Sequence, residues 1–158
     1  MDAFNSVFPV VSTLHTLAAV VWVGGMFFAH MALRPALMAE QPATRLGVWS
    51  RVFPRFFAWV WLSVIALPAT GYVMVFWDFG SFQAAGLHVR LMHGVNWVMI
   101  ALYAFLFFKP FQGLKAAVAA EDWPTGAKHL GLMRQIVTVN LVLGLAVIVM
   151  GVSGRFWG

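Results

Sequence analysis

The sequence predicts an all-α integral membrane protein, a four-helix up-and-down bundle with both termini outside and its second helix kinked at Pro68. Three observations predict it. The 158 residues are 62% hydrophobic and 9% charged, against about 25% charged residues in a typical soluble domain, which excludes a water-soluble globule. Four windows carry no charge: Asp2 to Arg34, Arg55 to Asp78, Arg90 to Lys109 and Arg134 to Arg155 enclose 31, 22, 18 and 20 uncharged residues, and a spanning helix needs about 20. The basic residues are also split between loops. Eight of the ten fall between helices one and two (Arg34, Arg45, Arg51, Arg55) or three and four (Lys109, Lys115, Lys128, Arg134), leaving Arg90 and Arg155 on the other side. The positive-inside rule then makes the first and third loops cytoplasmic. Basicity here reports topology and does not call for a nucleic-acid partner.

Within the bilayer each backbone amide must be satisfied inside its own segment, and the windows lack the alternation of barrel strands. Helix one is expected over about 6–34, capped near Asn5 to Pro9 and leaving at Arg34-Pro35; it follows an acid without a basic leader region, so it should stay attached. Helix two is expected over 54–77, with Pro42 and Pro54 before it and Pro68 inside, where a missing donor and a ring clash should bend it. Helix three should run over 87–109 and end at Lys109-Pro110. Helix four should occupy 124–154, with short helical pieces in the loop before it. One domain, 1–158, accounts for the chain. Trp49, Trp59, Trp77, Phe79 and Phe82 fall near the expected interfaces. The absence of cysteine excludes disulfides, thiolate clusters and c-type haem attachment.

Polar side chains within hydrocarbon are costly and are site candidates by default. His129 falls in a loop and His30 near the cytoplasmic end of helix one, while His88 sits at the outer mouth of helix three. His15 and His93 lie about six or seven residues inside helices one and three, roughly 10 Å deep at 1.5 Å per residue. Those helices run in the same direction and should be diagonal across the bundle, roughly 13 Å apart when neighbours pack at 8–10 Å. That gap suits a porphyrin iron shared by two imidazoles better than a bare copper ion. The alternative is that each His bonds to an ordinary neighbour, as buried polar groups usually do. Trp22 and Met26 return to the face of His15, and Asn96 and Trp97 lie beside His93. Arg90 could pair with a propionate, or snorkel to the interface. A copper route also reads off the chain, since His88 with Met92 and Met26 with His30 repeat an i, i+4 spacing of ligands suited to Cu(I). Gly24, Gly25, Gly71, Gly94, Gly144 and Gly151 allow either close packing or room for a flat cofactor.

The run His15-Thr-Leu-Ala-Ala-Val-Val-Trp22-Val-Gly24-Gly25, followed by Arg34-Pro35, resembles the first helix of the copper resistance protein D (CopD) family of bacterial inner-membrane proteins. His15, Trp22 and Gly25, with Leu87-His88-Val89-Arg90-Leu91, are also similar to the haem-binding HemJ-type protoporphyrinogen oxidases. Arg90 stands where that family has Lys, and Asn140-Leu141-Val142-Leu143 where it has Asn-Glu-Val-Pro. The first resemblance implies copper uptake or resistance. The second implies b-type haem in the outer half with His15 as a ligand, and makes His88 a competitor to His93 for the other side. The leading expectation is therefore a redox metal centre, haem b, between helices one and three in the periplasmic half of a bacterial inner membrane, serving electron transfer or a haem-dependent oxidoreductase. Such a centre would call for a quinone or a periplasmic redox partner. The alternatives are a copper uptake or homeostasis protein fed by a periplasmic copper-binding partner, with His15, His88, Met92, Met26 and His30 as stepping ligands, and a cofactor-free subunit of a larger complex. Self-association into a homo-oligomer is compatible with each. Hydrolytic and nucleotide chemistry has no motif to support it.

Overall fold

The computed structural model describes residues 2–157, with the side chains of residues 2–6 and 155 outside the description. Four helices are long and apolar enough to cross a membrane, and there is no strand among the described residues. Helix one begins as an α-helix, Asp2–Ala19, so Asn5 and Ser6 lie within it and do not start it. It then departs from α geometry twice, with π-helical turns at Val20–Gly24 and Ala29–Leu33 on either side of a short α turn, Gly25–Phe28, before a last turn at Arg34–Ala36.

Helix two spans Pro42–Phe79, beginning twelve residues before the expected start at 54. The reason is local. Pro42 occupies the first turn, where a missing N–H costs nothing, and the helix continues through both Pro54 and Pro68. It stops at Gly80, whose φ of 69° is the left-handed conformation that glycine adopts without a Cβ penalty and that closes the turn onto the Phe76 carbonyl. Helix three, Leu87–Phe108, breaks at Lys109 because Pro110 disfavours helical geometry in the residue before it. A short amphipathic helix follows over Pro110–Ala119. Helix four spans Trp123–Ser153 and is capped by Asp122, whose carboxylate accepts from the Thr125 amide at 3.1 Å. That hydrogen bond, with Lys128 as a weaker second influence, holds the Asp122 carboxyl below its usual range.

Helix one packs chiefly on helix two, and helix three on helix four, while helix two also reaches helix four across the middle. Helices one and three do not pack along each other, so they stand on the long diagonal as expected. The interior is continuous. Trp22, Val60, Leu106 and Met133 are almost wholly enclosed, and a chain of rings runs from Trp49 through Phe53 and Phe57 to Tyr103, with neighbouring centroids 4.8 to 5.6 Å apart. Trp49 therefore belongs to the core and not to an interface belt; Trp59 is 60% exposed, facing outward.

Candidate functional site

Two cavities open at opposite ends of the bundle. The one near the termini has a volume of about 360 Å³ and takes walls from all four helices. It brings together His15, His88, His93, Met92, Asn96 and Trp22, six of the residues singled out by sequence. Met26, by contrast, is buried in the core, and His30 lines the other cavity. Arg90 is exposed and outside the lining, and so is Trp97, although its indole reaches His93.

The histidines differ in which ring nitrogen is engaged. Thr70 has one hydroxyl proton, and it is given to the Ala66 carbonyl at 2.6 Å. Thr70 can therefore only accept from His15 Nδ1, which lies 2.8 Å away, so the His15 proton sits on Nδ1 and its Nε2 carries the free lone pair. This is how a metal-binding histidine is oriented by an outer partner. His93 is the reverse. Trp97 Nε1–H, which can only donate, points at His93 Nε2 from 3.1 Å, and the Tyr72 hydroxyl donates to the same nitrogen from 3.2 Å. Phe82 and Tyr72 pack against the ring, with centroids at 4.8 and 5.0 Å. The nitrogen that an axial ligand would use is thus already engaged twice. His88 is held by shape: a Cβ at Gly154 would collide with it, and its ring lies edge-on to Trp157 at 6.3 Å.

Glycine placement follows from these side chains. A Cβ at Gly71 would lie 3.5 Å from the His15 ring, and one at Gly151 would lie 3.1 Å from the Met92 methyl. Gly25 instead admits Phe56, and Gly144 admits Val23 and Met99, while Gly24 and Gly94 face open space. Asp78, Met74 and Met99 also line the cavity and were not found from sequence. Asp78 ended a hydrophobic window and was counted as a boundary. The methionines carried no spacing signal until helices two and three were placed side by side.

Whether these groups fit a metal can be tested on the donors themselves. Among the described residues no three His, Asp, Glu or Cys side chains stand close enough to hold one ion. The lining offers instead separate imidazoles and thioethers, soft donors that suit Cu(I). For a porphyrin the fit is partial: His15 presents a free Nε2, but His93 does not, and no arginine lines this cavity.

The second cavity, about 290 Å³, lies at the other end among Arg34, Arg45, Arg134 and His30. Between the two, Met26, Val60, Tyr103 and Asn140 close the bundle, each no more than 3% exposed. Tyr103 donates to the Phe57 carbonyl at 3.2 Å, and Asn140 Nδ2 to the Met99 carbonyl at 3.2 Å. The Asn140 carbonyl oxygen is buried with no partner among the described residues.

Fold and site together define a multi-pass helical membrane protein with a histidine- and methionine-lined chamber at one end. A family model described as Copper resistance protein D matches residues 50–153. An uncharacterized protein of Aquifex aeolicus (strain VF5) is 32% identical over 143 residues, covering 90% of this chain and 91% of that one. The chain belongs to the copper resistance protein D family. No solved structure gives a significant match.

Proposed function

We propose that the protein handles monovalent copper as its cargo, taking it into the chamber lined by His15, His88 and Met92. The observation that carries this reading is the state of His15: its Nδ1 proton is committed to Thr70, so Nε2 is held ready for a soft cation beside thioethers. Scattered ligands that never gather into one tight cage suit an ion that must leave again. The copper-related family supports the same class of cargo. The eight basic residues of the first and third loops favour an orientation in a bacterial inner membrane that turns this chamber to the periplasm, where a copper-binding partner could load it.

The test is Cu(I) uptake by proteoliposomes under reducing conditions. His15→Ala and the double variant His88→Ala, Met92→Ala should each lower uptake about tenfold or more, since losing even the outer support of a ligand typically costs about 10–100-fold. Uptake equal to wild type in both would refute the reading. A second reading, b-type haem held by His15, is favoured by one observation: the chamber is far larger than a lone ion requires. It predicts a Soret band in protein purified in mild detergent, lost in His15→Ala. Folded, colourless protein that takes up no added haemin would remove it.

A further inference from the structure

We propose that the cavity at the opposite end binds one acidic phospholipid, with its phosphate among Arg34, Arg45 and Arg134 and an acyl chain along the aromatic floor beneath them. The three arginines come from the end of helix one, the start of helix two and the first half of helix four, and they meet at this cavity alone. No carboxylate lines it. Among the described residues none of the three guanidiniums has a hydrogen bond or an ion pair, whereas Arg55 nearby is tied to the Arg51 carbonyl at 2.9 Å. Arg34 and Arg45 are half-buried, so their charges have given up part of their water without gaining a counter-ion. Three converging positive charges over low-dielectric walls focus a field that an anion relieves, and guanidinium matches phosphate with two parallel hydrogen bonds.

The rest of the lining identifies the kind of anion. Trp49, Phe53 and Phe57 form a stacked row, with centroids 4.8 and 5.2 Å apart, and all three face the cavity. A free phosphate has no use for such a floor. An amphiphile uses both parts, and basic pockets between membrane helices on the cytoplasmic side are where acidic lipid headgroups bind. The loop charges favour the same side. The site is independent of copper handling, because none of its arginines lines the other chamber.

Native mass spectrometry of the protein released from nanodiscs of equal phosphatidylglycerol and phosphatidylcholine tests this. One phosphatidylglycerol should be retained in preference to phosphatidylcholine. The triple variant R34Q/R45Q/R134Q should lose that preference on the order of tenfold or more, since each basic group near an anionic surface contributes a several-fold factor. The control R51Q/R55Q, which removes two exposed arginines from the same end, should retain it. Should the triple variant fail to fold, R134Q alone, at an exposed position, should weaken retention several-fold. Equal retention of the two lipids, equal loss in the control and the triple variant, or displacement of the lipid by millimolar inorganic phosphate would each overturn the proposal.

Discussion

Replacing Thr70 by valine tests the chemistry of the chamber without emptying it. Valine keeps the branched shape but removes the oxygen that accepts the His15 Nδ1 proton at 2.8 Å. Two costs follow. The lost hydrogen bond amounts to about 0.5–1.5 kcal/mol of stability. The imidazole is also released to exchange tautomers and rotate, and loss of such an outer partner typically weakens metal binding about 10–100-fold, or about 1.4–2.8 kcal/mol at 1.4 kcal/mol per tenfold. Thr70→Ser keeps the oxygen and should stay near wild type. The assay is competition for Cu(I) against a chromogenic chelator, with thermal unfolding of each variant alongside. If Thr70→Val binds within twofold of wild type while His15→Ala binds poorly, the tautomer argument is wrong. If both bind like wild type, His15 is not a ligand.

Three further outcomes follow from packing and charge. Gly144→Ala should destabilise the bundle, because its Cβ would lie 2.8 Å from Val23 Cγ2 and 3.2 Å from the Met99 methyl; overpacking of about 1–3 kcal/mol should outweigh the gain of about 1 kcal/mol from helix propensity. Gly94→Ala, facing open space, should show only the gain, and thermal unfolding of both in one detergent separates the effects. Asn140→Leu should be neutral or stabilising, since it removes an unpartnered buried carbonyl oxygen that costs about 1–3 kcal/mol and loses one interhelical hydrogen bond worth about 0.6 kcal/mol in membrane proteins; a marked loss of stability would mean that this oxygen has a partner such as water. For Asp122 the sign is fixed by a carboxyl pKa lowered on folding. Its capping contribution is complete above the ordinary value of 3.8 and fades as pH falls through the lower folded value. Protection of the Thr125 amide, measured against its intrinsic exchange rate at each pH, should therefore fall below pH 3.8 in wild type, should be small at both pH values in Asp122→Ala, and should persist at both in Asp122→Asn.

The charge-free windows were enough to read four membrane helices, because excluding charge from hydrocarbon is a one-dimensional constraint. Helix two's real start at Pro42 was hidden because arginines at 45, 51 and 55 were counted as loop, although a helix that projects beyond the apolar layer carries charge freely. The placement of His15 and His93 in one chamber was legible from depth and parallel direction, whereas His88 was read by depth only as a residue of the outer mouth and entered the site through its spacing to Met92 and the family resemblance. What differs between His15 and His93 was only half visible: Trp97 sits one turn from His93 and could be inferred, but Tyr72 and Thr70 come from helix two. Their hydroxyls engage opposite nitrogens, Nδ1 of His15 and Nε2 of His93, on rings that look equivalent in sequence and share the Nδ1–H tautomer. Nor does any local pattern announce the π-helical turns of helix one, since they depend on what the helix packs against.

Those turns bear on what the chamber can do. Met26, part of the closure between the two cavities, lies in the short α turn that separates them, and Trp22 and Val23, both buried, lie in the first of them. A π-helical turn holds one extra residue, and such turns recur at functional sites. The other layers of the closure are less adjustable: Val60 is in the middle of a continuous helix, and Tyr103 is tied to the Phe57 carbonyl. A resident redox group would need this closure to stay shut. Passage of copper would need it to yield, and helix one is where a change of register is built in, because its two π-helical turns fall in the stretch that faces helix four and, at its start, helix two. The two readings of the chamber therefore make opposite demands on the same stretch, Val20–Leu33, and hydrogen exchange of its amides with and without Cu(I) bears directly on which demand the protein meets.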